Sequence, residues 1–107
     1  MGQLADWAEP YVMPLFPPHA TVVDDGGRRL RINWAIPEVG RPNRQARSIA
    51  IHVDPVVMAA IDVADANSLG RIGDGFVRLI KHRLIDYDPK GPQEPAFVID
   101  IDGTVLD

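Results

Sequence analysis

A chain of 107 residues, 46% hydrophobic and 24% charged, has the composition of one ordinary globular domain with a single core. Its longest apolar run falls well short of the ~20 residues of a membrane-spanning helix. The absence of cysteine excludes disulfides and thiolate metal ligands, and a formal net charge of −4 works against polyanion binding by the chain as a whole.

Residues 1–18 read as an apolar N-terminal arm. Leu4, Trp7, Ala8, Tyr11 and Leu15 have helical spacing, but Pro10 and Pro14 interrupt it, so a short helix near 3–9 and an irregular stretch to Phe16 are expected. An aromatic arm of this kind must be covered by the chain's own core or by a partner subunit, which makes Trp7, Tyr11, Leu15 and Phe16 candidate interface residues. Residues 20–53 read as a three-stranded meander. Ala20 to Val23 is a short strand, and Asp24-Asp25-Gly26-Gly27 is turn chemistry. From Arg28 to Ile36 the residues Leu30, Ile32, Trp34 and Ile36 alternate with Arg29, Arg31, Asn33 and Ala35, the pattern of a half-buried strand. After a proline-containing loop over 37–45, Ile49, Ile51 and Val53 alternate with Ser48, Ala50 and His52.

Residues 54–87 read as a helical pair. Asp54-Pro55 is an N-cap followed by proline at the first helical position. Asn67-Ser68 ends or kinks the first helix, and Ser68 is a possible cap for the second. Leu69, Ile72, Phe76, Ile80 and Leu84 then form an apolar stripe. Gly70, Gly73 and Gly75 sit awkwardly within it. Either the segment is loop until about Asp74, or the glycines admit a close neighbour. A loop over 88–95 leads to a terminal strand or hairpin over 96–107. The order β-β-β-α-α-β implies an α+β domain with an antiparallel sheet of about four strands and two helices packed on one face.

The last eleven residues contain an apolar strand, Phe97-Val98-Ile99, followed by Asp100-Ile101-Asp102-Gly103-Thr104. This resembles the first motif of the haloacid-dehalogenase-like hydrolases. The resemblance implies a magnesium-dependent phosphatase with Asp100 as nucleophile and Asp102 as general acid/base. It covers about a tenth of the chain, and the further motifs of that family, which follow the first, are missing after Asp107. The same residues also carry a local reading: Asp102-Gly103 between apolar residues is a two-residue hairpin signal.

Charge is unevenly distributed. Arg28, Arg29, Arg31, Arg41, Arg44 and Arg47 share residues 28–47 with the single acid Glu38, a balance of +6 −1 = +5 that leaves −9 on the remainder. A basic hairpin of this kind could follow a phosphate backbone. It could also be a solvated sheet face paired with acidic neighbours. The histidine–acid pairs His52/Asp54 and His82/Asp86 each share a face, yet nothing joins them into the three or more ligands of a metal site. Gly70, Gly73 and Gly75 lack dinucleotide-binding spacing, and neither Ser48 nor Ser68 lies in a nucleophile elbow.

The expectation is a non-enzymatic binding or accessory protein without cofactor or resident metal, acting through a protein interface and forming a homo-oligomer, most simply a homodimer. Nucleic-acid binding through 28–47 is the alternative, and phosphatase chemistry at the tail is a second. Nine arginines against two lysines suggest a GC-rich bacterial source; the lack of cysteine and of a basic-then-apolar leader suggests a cytoplasmic location.

Overall fold

Leu30 and Ile32 are buried while their neighbours Arg29, Arg31 and Asn33 are not, and this alternation sets the architecture of the whole domain. The computed structural model describes residues 3–26, 28–36, 45–88, 90–91 and 96–106; Arg41 and Arg44 lie outside the described residues. Four strands, β1 (Thr21–Asp24), β2 (Arg29–Asn33), β3 (Ile49–Val53) and β4 (Phe97–Ile101), form one sheet in the order β1-β2-β3-β4. Three helices, α1 (Gln3–Val12), α2 (Pro55–Val63) and α3 (Ala66–Leu84), contribute to a core on one face of it. The class is α+β.

Two expectations about this arrangement are corrected. The sheet is mixed, because β4 runs parallel to β3 with Ile49 opposite Phe97 and Val53 opposite Ile101. The connection from β3 to β4 contains both α2 and the 19-residue α3, ample length to bring the chain back to the end where β3 began. There are also three helices, since the N-terminal arm is itself helical. Helix α1 continues through Pro10, which lies on the solvent side together with Asp6 and Glu9. The carbonyl that Pro10 leaves without its helical donor belongs to exposed Asp6, and the opposite side buries Leu4, Ala8 and Val12. A short 3₁₀ turn over Met13–Leu15 then leads into Phe16, which is buried.

Helix α2 begins as its sequence implies. The Asp54 carboxylate accepts a 2.9 Å hydrogen bond from the Val56 amide, and Pro55 occupies the first turn. The cap of α3 is Asp65, three residues earlier than Ser68, and it accepts a 2.8 Å bond from the Ser68 amide. That backbone bond, with a second from the Ser68 hydroxyl, holds the Asp65 carboxyl below its ordinary range.

The glycines of α3 are helical, and two of them are contact points. A Cβ at Gly73 would overlap the Tyr11 ring of α1, and a Cβ at Gly75 would stand 2.8 Å from the Val105 carbonyl oxygen. Gly70 faces open space. Of the terminal strand or hairpin expected over 96–107, the strand forms as β4, and Val105 belongs to a second 3₁₀ turn, Gly103–Leu106, that stands where a hairpin would return. A two-residue hairpin turn of the Asp-Gly kind requires positive φ. Among the described residues only Gly26, in the β1–β2 connection, adopts it, at +115°. The Asp102 carboxylate accepts instead from the Thr104 amide and hydroxyl, so the chain coils and buries Val105 against α3.

The loop end of the core is lined by rings. Phe16 packs on Trp34, Trp34 on Tyr87, and Tyr87 edge-on to Phe97, with centroids 5.6, 5.9 and 5.3 Å apart. The guanidiniums of Arg47 and Arg83 lie 5.6 and 5.1 Å from the Phe97 centroid. Arg83 also donates a 3.0 Å bond to the Val98 carbonyl, and the Tyr87 hydroxyl donates to the Arg47 carbonyl. Burial pushes the Tyr87 phenol up to about 12, against the opposing charge of Arg47.

Two measurements check this packing. Gly70→Ala raises stability to chemical denaturation by about 0.5–1 kcal/mol through helix propensity alone, whereas Gly75→Ala lowers it by about 1–2 kcal/mol because the new methyl displaces the Val105 backbone. For Tyr87, the folded state holds the phenolic proton more tightly than the unfolded chain, whose tyrosine titrates near 10. The associated stability is complete below about pH 10 and is lost as pH rises from there to about 12. Denaturant titrations at the two ends of that window show a steeper loss for the wild type than for Tyr87→Phe.

Candidate functional site

With all three helices on one side, the other face of the sheet has no helix over it among the described residues, and strand register arranges its side chains in rows. The middle row runs Val23, Arg31, Ala50, Val98 across β1 to β4, as the partners Val23↔Arg31, Arg31↔Ala50 and Ala50↔Val98 show. The next row is Arg29, His52, Asp100. A third holds Thr21 and Asn33, with the Ser48 hydroxyl donating to Asn33 Oδ1 at 2.6 Å. Two valines are exposed here, Val23 at 49% and Val98 at 37%, whereas Ala50 between them is covered by its neighbours at 4%. Among the described residues no Phe, Tyr or Trp lies on this face: the rings belong to the core and to the ring chain at its end.

The electrostatics of the face are unevenly satisfied. Arg31 Nε is 3.6 Å from Asp25 Oδ2. His52 Nδ1 stands 3.9 Å from Asp100 Oδ1, at the long limit of an ion pair, and the Asp100 side chain remains 80% exposed. Arg29 is exposed and makes no ion pair among the described residues.

The arginines expected to form one basic surface are divided. Arg29 and Arg31 stand on the open face, and Arg28, also exposed, directly precedes β2. Arg47 is half-buried and stacked on Phe97, so it is a packing residue of the covered side. Arg41 and Arg44 lie outside the described residues. The four apolar arm residues rest on the chain's own core. Trp7 meets Phe76 edge-on at 5.1 Å and Tyr11 at 5.4 Å, Tyr11 covers Gly73, Leu15 packs against the core cluster and Phe16 is buried.

The Asp-x-Asp-Gly-Thr residues occupy the end of β4. Asp100 projects from the open face beside His52. Asp102 is a cap, and the Thr104 hydroxyl and amide hold its carboxyl below the ordinary carboxylate range. A general acid works best with a pKa near the working pH, and these hydrogen bonds move Asp102 the other way. The histidine pairs are also redirected. Asp54 caps α2 rather than meeting His52, and Asp86 lies 4.0 Å from Arg83. Among the described residues no three His, Asp or Glu side chains come together as metal ligands.

Two clefts flank the C-terminal turn. One, of about 360 Å³, is lined by Arg78, Leu79, His82 and Thr104; the other, of about 430 Å³, by Val63, Asp65, Arg71 and Leu106. Both are shallow and open to solvent.

The alternation of β2 and β3 made the open face visible in the sequence, but its extent was not, because Val98 and Asp100 join it only through the parallel pairing of β4. No protein-family model, curated protein or solved structure matches this chain.

Proposed function

We propose that this chain is a non-enzymatic binding module that acts through protein contact made by its uncovered sheet face. The observation that supports this reading is the middle row of that face. Exposed Val23 and Val98 lie on one line across the sheet, with the small Ala50 and the stem of Arg31 between them and charges in the adjoining row. Single exposed valines are ordinary on a protein surface. Here the exposed valines stand on the two edge strands, in line with Ala50 and the Arg31 stem and with mixed charge in the adjoining row, and a surface of interspersed apolar and charged groups suits a protein contact.

A second reading has one observation in its favour: Arg28, Arg29 and Arg31 lie together at β2. Binding of single-stranded nucleic acid commonly adds stacking of bases on aromatic rings, and this face displays none among the described residues. Arg31 is partly neutralised by Asp25, and the chain is net acidic.

Photo-crosslinking separates the two. Benzoylphenylalanine placed at position 98, on the open face, and at position 78, on the exposed side of α3, is irradiated in cells expressing the full chain. The expected result is a nuclease-resistant protein adduct from position 98 and little from position 78. A nuclease-sensitive adduct at 98 establishes the nucleic-acid reading instead, and adducts from 78 alone move the contact to the helical side.

A further inference from the structure

We propose that the occupant of the open face is a second copy of this chain, packed face to face about a two-fold axis that runs along β3. The inference rests on the protein-contact reading above and adds the partner and its geometry. The charges carry it. Arg29 and Asp100 are level with each other on opposite sides of His52, one strand away from β3 in each direction. A two-fold axis along β3 exchanges the two sides, so that β2 of one subunit lies over β4 of the other. Arg29 then faces Asp100 of the partner subunit, and Asp100 faces the partner's Arg29. One surface thereby supplies both halves of two ion pairs, the self-complementarity an isologous contact requires.

Arg31, Ala50 and Val98 of the middle row obey the same operation, while Val23, two strands from the axis, falls outside the overlap. Arg31 lies over Val98 of the partner subunit, which offers its aliphatic stem to an exposed apolar side chain. Ala50 lies on the axis opposite its own copy. It is the smallest side chain of the three on its strand's outer side, and it lets two sheets approach to the ~10 Å of face-to-face packing. Within one chain these charges are left poorly used: Arg29 has no ion pair among the described residues, and Asp100 has only the 3.9 Å contact with His52.

The contact is small. Three overlapping strands of five residues cover about 14 Å by 17 Å, below the standard size of a stable interface. The dimer is therefore expected to be weak, with a dissociation constant in the micromolar range or above, and it must be sought at high protein concentration.

Charge exchange tests both the partner and the axis. Sedimentation velocity is run on the full chain up to several hundred micromolar, with Arg29→Asp, Asp100→Arg, their equimolar mixture and the double variant. The wild type is expected to show concentration-dependent dimerisation. Each single variant places like charges opposite one another and weakens association by about tenfold or more. The mixture sets two carboxylates of one chain against two guanidiniums of the other and recovers a heterodimer, and the double variant recovers a homodimer. This recovery also shows that the substitutions leave the fold intact.

A wild type that stays monomeric throughout overturns the second-copy proposal; a position-98 adduct with a different protein would then leave the broader reading standing. Single variants that dimerise as the wild type does remove Arg29 and Asp100 from the contact. Monomeric singles with no recovery on mixing overturn the axis.

Discussion

Helix α3 can hold the domain together only because it carries glycine where two other segments press against it. Its stripe of Ile72, Phe76 and Ile80 is buried, and Gly73 and Gly75 lie within the same span. At Gly73 the Tyr11 ring of α1 occupies the place of a side chain, and at Gly75 the backbone of Val105 does. The N-terminal helix and the C-terminal turn thus reach the same helix, two residues apart. Each glycine costs the isolated helix about 1 kcal/mol relative to alanine. Close packing of rings and aliphatic side chains offsets that cost, since buried apolar groups contribute about 1.5–3 kcal/mol each. Helix α1 and the C-terminal turn are thereby held against α3, and among the described residues no helix lies over the other side of the sheet.

That one-sidedness explains what the open face contains. A strand covered on both faces reads as a continuous apolar run, but these strands alternate. Leu30, Ile32, Ile51, Ile99 and Ile101 point to the helices and are almost wholly inaccessible. The opposite positions hold arginine, asparagine, histidine, aspartate and two valines. Polar residues there can meet water, and Val23 and Val98 add exposed aliphatic groups on the two edge strands.

The strands β1 to β3, the Asp54 cap and the stripe of α3 were legible because each rests on a local rule: period two, a capping residue, period 3.6. What failed were choices settled at a distance. Pro10 looked like a break, but its defect faces water while Leu4, Ala8 and Val12 bury the other side of α1. The glycines of α3 allowed both loop and close contact, and only the positions of Tyr11 and Val105 decide between them. The parallel direction of β4 depends on how far two helices carry the chain, which no residue of β4 reports. Asp102-Gly103 could start a hairpin or a coil, and the Thr104 hydroxyl and the cavity filled by Val105 select the coil. The candidate site was half visible for the same reason: Arg29 and Arg31 declare themselves by alternation, whereas Asp100 becomes their neighbour only when β4 pairs with β3.

The bond from Arg83 to the Val98 carbonyl has a wider consequence. In a parallel pair the outer strand turns alternate amides and carbonyls away from its neighbour, and at β4 those groups belong to Val98 and Asp100. A guanidinium already seated on one of these carbonyls, with a carboxylate two residues on, leaves little for an incoming strand to grip. Growth of the sheet sideways into a ribbon is discouraged at that margin. Any assembly of this chain is thereby biased away from open-ended stacking of strands and towards arrangements that close on themselves.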